Sequence, residues 1–206
     1  MTVFFSSDQH WGHARINELS GRPFSNVPAM NAALVKSWNA RITDADTVFV
    51  LGDVCMGPIS DSLALIGLLA GTKILVPGNH DRSWAGHRKF ESWIERYLVA
   101  GFDAVMQPPV PFVLPDSGQP VLLSHFPYRG ESDPDRPDRY ADQRPMDLGA
   151  WLLHGHVHEQ WRQRGRQINV GVDAWAGKPV SETTIAAMIT AGPVDLPPRK
   201  WHTPPG

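Results

Sequence analysis

A single cysteine, Cys55, stands among 206 residues. One thiol cannot close an internal disulfide and leaves no thiolate set for a structural zinc site; it suits a reducing compartment. Long hydrophobic runs are also missing. The longest, Leu63 to Gly71, falls far short of the roughly 20 residues a membrane helix needs. Nor is there an excess of positive charge: 19 Lys and Arg face 21 Asp and Glu, giving a net charge of −2 and a pI near 6.5. Such a balance provides no general attraction to nucleic acid or to anionic lipid, so neither stable nucleic-acid binding nor a membrane partner is expected. The start, Met1 to Phe5, lacks a cationic n-region and leads directly into polar motifs, so no signal peptide is expected and the chain reads as cytoplasmic. Without a linker the chain is one domain, large enough to bury about 70% of its unfolded surface. The expected division is a domain over residues 1–192 and a tail over 193–206 holding five prolines, extended or disordered. Oligomeric state has no signature here.

Histidine is what the sequence does have, nine in all. Most fall in five short motifs: Asp8-Gln9-His10, Gly52-Asp53, Gly78-Asn79-His80-Asp81, His125, and Gly155-His156-Val157-His158. Carboxylates, a carboxamide and imidazoles together form a mixed oxygen and nitrogen donor set, which suits Mn, Fe, Zn, Ni or Co better than Mg or Ca. The motifs sit where strands should end. Thr2 to Ser6, Thr47 to Leu51 and Thr72 to Val76 are short β-branched and aromatic runs, each followed by a motif. Helical periodicity separates them, with Met30, Leu34, Val35 and Trp38 on one face and Ile59, Leu63, Ile66 and Leu69 on another. This alternation implies parallel strands in an α/β fold, with ligands at their C-terminal edge. Phe112 to Leu114 and Val121 to Ser124 predict a hairpin around Asp116 to Gln119 that delivers His125. Trp151 to His154 and Gln167 to Gly171 predict further strands, and Ser181 predicts the N-cap of a last helix stopped by Gly192 and Pro193.

In this order the five motifs resemble the calcineurin-like metallophosphoesterases, marked by D-x-H, GD, GNH[DE], a lone H and G-H-x-H. The flanks Ser7 to His13, Arg22-Pro23-Phe24, Ser37-Trp38-Asn39 and Asn169 to Asp173 resemble the small single-domain members of bacteria and phages. The resemblance spans Asp8 to His158. It implies a four-layer α-β-β-α sandwich of two mixed sheets flanked by helices, and two divalent transition metal ions, Mn foremost. By the same resemblance Asp53 bridges the two metals. Asp8, His10 and His158 hold one ion; Asn79, His125 and His156 hold the other. Two cations about 3.5–4 Å apart can share a hydroxide and clamp a phosphoryl group. His80, next to a ligand, is expected to protonate the leaving oxygen, with Asp81 orienting it. Phosphodiesters follow as substrates, because alkoxide leaving groups need a proton more than phenolates do.

The implied function is hydrolysis of a small phosphodiester, with 2′,3′-cyclic nucleotides leading. A phosphomonoesterase, a nuclease, or a non-catalytic metal-containing phosphate-binding protein are the alternatives. Retention of Asp53 and His80 favours catalysis. Beyond the motifs, His13, Arg22 and Trp11 are the candidate substrate-binding residues: His13 facing substrate, Arg22 binding a phosphate oxygen, Trp11 stacking on a base. For each, loop solvation or core packing is the competing reading. His154 is either packing or support for the ligands, and His87 and His202 read as ordinary histidines. Residues 129–144, rich in Arg, Asp, Glu and Pro, form a long loop that is either a connection or a lid carrying Arg136 and Arg139.

Overall fold

The structure, a computed structural model, describes residues 1–133 and 135–201. In chain order its elements are β1 (Val3–Ser6), α1 (Ile16–Leu19), α2 (Val27–Asn39), β2 (Thr47–Val50), α3 (Ile59–Leu63), β3 (Thr72–Leu75), α4 (Glu91–Ala100), β4 (Ala104–Val105), β5 (Val110–Val113), β6 (Pro120–Leu123), β7 (Trp151–His154), β8 (Gln163–Gly165), β9 (Gln167–Asn169), β10 (Val180–Ser181), α5 (Glu182–Ala191) and β11 (Val194–Leu196). Short 3₁₀ turns lie at Ala64–Leu68, Ala141–Gln143 and Val172–Ala174.

Two mixed sheets pack face to face and helices flank them, the α/β sandwich expected. The first sheet runs β10-β1-β2-β3-β4, parallel from β1 to β4 with β10 antiparallel at its edge. The second runs β11-β8-β9-β7-β6-β5, parallel only across β9-β7-β6. Alternation along the strands builds two cores. Val3, Phe5, Phe49 and Leu51 point between the sheets, where they meet Leu123, Leu153 and Ile168. Phe4, Val48, Val50 and Leu75 point the other way, onto Met30, Leu34 and Trp38 of α2 and Tyr97 of α4. Strands buried on both faces explain why β1 and β2 read as continuous apolar runs rather than as alternation.

The Asn26 side chain caps α2 by accepting from Ala29 N–H at 2.9 Å, and Ser181 caps α5 by accepting from Thr184 N–H at 3.3 Å. The helix expected through Leu69 changes to a 3₁₀ turn after Leu63. Part of the expected tail belongs to the body. Residues 194–196 are extended, but as edge strand β11 paired with β8, and Trp201 packs edge-on against Phe24 at 5.5 Å. His202 and the last prolines lie outside the described residues. Among the described residues no helix is long and apolar enough to cross a membrane.

Candidate metal centre

Each motif follows a strand end, and the loops are sewn together by backbone bonds. Asp8 N–H donates to Gly52 at 3.0 Å and His10 N–H to Asp53 at 3.1 Å, so the β1 and β2 loops continue side by side past their strands. On the second sheet Gly155 N–H donates to His125 at 3.0 Å. His156 N–H then reaches across to the Asp8 carboxylate at 3.1 Å, joining the two sheets at one point. The approach is close enough to require glycine at two motif positions. A Cβ on Gly78 would strike the Asp53 carboxylate and the His125 ring, and one on Gly155 would strike Ser7 and Asp8. Five of the seven expected ligands, Asp8, His10, Asp53, His156 and His158, hold φ between 48° and 71°. Residues other than glycine avoid that region, and such strain collects where a site dictates the backbone.

The donor atoms converge. Ligand atoms of Asp8, His10 and His158 lie within 4.8 Å of one another, and so do those of Asp8, Asp53 and His125. Asp53 Oδ2 is 3.3 Å from His125 Nε2 and 3.6 Å from His10 Nε2. Both His10 ring nitrogens, His125 Nε2 and Asn79 Oδ1 are buried without a hydrogen-bond partner among the described residues. Buried polar atoms are normally satisfied, so orphans aimed at a common carboxylate are what a metal cluster requires. The ring nitrogens facing away are spoken for. His125 Nδ1 donates to Leu51 O at 2.8 Å, His156 Nε2 to Glu131 at 3.0 Å and His158 Nδ1 to Asp173 at 2.9 Å. Bonds of this kind fix which nitrogen keeps its lone pair. Burial works to raise the Asp53 carboxyl, yet the His125, His80 and His10 imidazoles hold it well below the usual range. Burial opposes protonation of His125, but Asp53 lifts it to about 9. These donors could hold metal ions, with Asp8 and Asp53 supplying negative charge.

Five expected roles need revision or addition. Among the described residues the Asp81 carboxylate makes no hydrogen bond to His80; it accepts from Asp53 N–H at 2.7 Å, Gly78 N–H at 2.8 Å and Val54 N–H at 3.1 Å, so it ties the second and third motif loops together. Arg22 is not available to a substrate. Its guanidinium is buried, pairs with Asp173 at 2.8 and 2.9 Å, and donates to the carbonyls of Asp8 at 2.7 Å and Gln9 at 2.8 Å. Trp11 is 1% exposed and belongs to the core beneath α2, so it presents no stacking face. His87, read as an ordinary histidine, donates to the Asn79 carbonyl at 3.0 Å and so steadies a ligand loop. His154 is buried, with Nδ1 donating to Gly155 O at 2.7 Å, directly behind the last motif.

The Arg22–Asp173 clamp also carries a stability prediction. Arg22→Ala would leave the buried Asp173 carboxylate without its cation, which typically costs about 3–5 kcal/mol. Chemical denaturation of wild type and variant measures it. A loss no larger than the ~1 kcal/mol of a surface ion pair would contradict a structural role.

A cleft of about 480 Å³ opens onto the cluster, lined in part by His10, His13, His80, His158, Arg136 and Arg139. His80 is 38% exposed there, with Nε2 3.9 Å from Asp53 Oδ2 and its backbone N–H donating to Asp53 Oδ1 at 2.9 Å. His13 faces the same space, 5.3 Å ring to ring from His10, and burial lowers its pKa. The 129–144 loop therefore reaches the cleft through two arginines. Glu131 in that loop and Asp173 after β9 were missed as supports. Asp173 sits in a flank already conspicuous in the sequence, whereas Glu131 carried no signal.

No family model matches the chain. It is 34% identical to the Gene 66 protein of Mycobacterium phage L5 over 198 residues, covering 91% of this chain and 93% of that protein. It is 28% identical to the uncharacterized protein MJ1445 of Methanocaldococcus jannaschii over 93% of both chains. Among solved structures, a protein of unknown function, AQ665 from Aquifex aeolicus, matches with a TM-score of 0.68 and 27% identity over 91% of this chain and 98% of that one.

Proposed function

From a chain that belongs to the family of the phage L5 Gene 66 protein, we propose a binuclear metal-dependent phosphoesterase of calcineurin-like type that hydrolyses small phosphodiesters, with 2′,3′-cyclic nucleotides as the leading substrates. The observation that carries the reading is the set of unpartnered ring nitrogens of His10 and His125 facing the Asp53 carboxylate in a buried cluster. Asp8, His10, Asp53 and His158 would hold one ion; Asn79, His125 and His156, with Asp53 shared, would hold the second. Divalent ions there would supply Lewis acidity, making water acidic enough to attack at neutral pH and offsetting charge on the phosphoryl oxygens. The nitrogen and oxygen donors favour Mn, with Fe, Zn, Ni or Co as alternatives.

The protein's own groups do the rest. Arg136 and Arg139 line the cleft, paired with Asp133 at 3.0 Å and Glu131 at 2.9 Å, and are the cations that would meet an anionic substrate there. His80, held by its backbone to Asp53 but with its ring in the cleft, is placed to deliver a proton to the leaving oxygen. His13 borders the same space and would contact the departing group.

The test is a hydrolysis panel with metal-stripped protein reloaded with Mn, Ni, Zn or Mg. Substrates are para-nitrophenyl phosphate, its bis ester, and 3′,5′- and 2′,3′-cyclic nucleotides. Activity should vanish on chelation, return best with Mn, and be highest on 2′,3′-cyclic nucleotides. Undiminished turnover in chelator would refute the metal reading, and preference for the monoester would refute the diester one.

A further inference from the structure

Between β6 and β7 the chain forms little regular structure, yet it carries one of the best enclosed carboxylates of the molecule. The Glu131 side chain is 1% exposed. Its Oε1 accepts from Arg139 N–H at 2.8 Å and Arg144 Nη2 at 2.7 Å; its Oε2 accepts from Arg139 Nη2 at 2.9 Å and His156 Nε2 at 3.0 Å. Taking a carboxylate out of water is costly, and only such a complete set of donors offsets it. A loop that needed merely to connect two strands would leave this residue in solvent.

The two histidines of the last motif are backed in the same way from opposite sides. His156 places Nε2 on Glu131, and His158 places Nδ1 on Asp173. Each carboxylate is in turn held by arginine, but the arginines differ in position. Arg22 behind Asp173 is sealed in the core, whereas Arg139 behind Glu131 is 46% exposed and lines the cleft. Tyr140 adds a second anchor. It takes φ 56°, and its ring lies 5.1 Å from Phe126, 5.7 Å from Trp84 and 6.3 Å from His156. An ion-pair network and an aromatic stack thus pin this loop to the His156 side of the centre, whereas among the described residues its hydrogen bond near His158 is the one that Ser132 O accepts from Gln160 Nε2 at 2.9 Å.

We propose that Glu131 is a positioning residue that keeps the proton of His156 on Nε2 and its lone pair on Nδ1, and that one of the two metal sites therefore depends on the loop carrying Arg136 and Arg139. The inference rests on the metallohydrolase reading. His158 takes its backing from the core, through Asp173 and Arg22, rather than from the loop. Losing Glu131 frees the His156 ring and also frees Arg139, so it disturbs metal binding at one site and substrate binding together.

Two measurements test this. In metal-free protein with ¹⁵N-labelled histidine, His156 should be a single Nε2–H tautomer in wild type and a mixture in Glu131→Ala. In manganese titration calorimetry, Glu131→Ala should weaken one equivalent by about 10–100-fold, the usual effect of removing a support behind a ligand, and leave the other unchanged. Glu131→Gln, whose amide oxygen still accepts from His156, should lose less, and KM should rise more than kcat falls. An unfixed tautomer in wild type, equal weakening of both equivalents, or no weakening in either variant would overturn the role of Glu131. A fixed tautomer in wild-type protein that takes up no metal would refute the metallohydrolase reading, and the metal half of this inference with it.

Discussion

Asp53→Asn protein will fold, hold neither metal ion tightly, and turn over phosphodiesters at least about 10³-fold more slowly than wild type. Asparagine is the sharper choice over alanine, because it keeps the shape and tolerates the φ of 55° at this position. What it removes is the charge. The Asp53 carboxylate stands within 3.9 Å of the His10, His80 and His125 imidazoles, at the point where two cations would otherwise repel. Metal ions contribute several kcal/mol of transition-state charge stabilisation, and at ~1.4 kcal/mol per tenfold that gives the expected loss. Elemental analysis and steady-state rates on the purified variant decide it. In metal-free protein, His125, lifted to about 9 chiefly by Asp53 against its burial, should titrate lower in the variant. By contrast His158→Ala should weaken mainly one ion. Two tightly held metals in folded Asp53→Asn protein would overturn the shared role.

The second large effect separates a proton donor from a ligand. His80→Ala should keep its metal content near that of wild type yet slow cyclic nucleotide hydrolysis by about 10²–10⁴-fold, the range for loss of a general acid. Its ring projects into the cleft, while the orphaned donors that would hold metal belong to His10, Asn79 and His125. Aryl diesters, whose leaving groups depart without a proton, should lose much less. Equal losses on both substrates would make His80 a substrate-positioning group instead.

The convergence of the motif residues and the strands that carry them were legible because each is a local pattern: a β-branched run, then a motif, at the end where open α/β sheets present their sites. The hairpin before His125 was legible for the same reason, its turn being written in Asp116, Ser117 and Gly118. Supports were harder to see. Arg22 and Asp173 meet across 151 positions and Glu131 and His156 across 25, so nothing in the neighbourhood of either residue announces the partner. Arg22 looked like a phosphate ligand because an arginine beside a metal motif has the same sequence whether it faces the cleft or the core. Asp81 misled similarly, since adjacency to His80 suggested contact, but the carboxylate turns inward to three backbone N–H groups. Helix α4 left a faint trace because Tyr97 is its one fully buried residue. Tail residues 194–196 form a strand because β8 offers an open edge, which composition does not record.

The left-handed backbone at Asp8, His10, Asp53, His156 and His158 filters the mutations this centre can accept. Valine, isoleucine and threonine are barred there by their branched Cβ before any question of chemistry arises, while asparagine, aspartate, histidine and glycine pass. Of those four, three carry a side chain able to coordinate a cation. Most of the side chains this backbone tolerates therefore keep a donor atom at these positions, and the left-handed conformation itself restricts how readily the cluster loses its polar character.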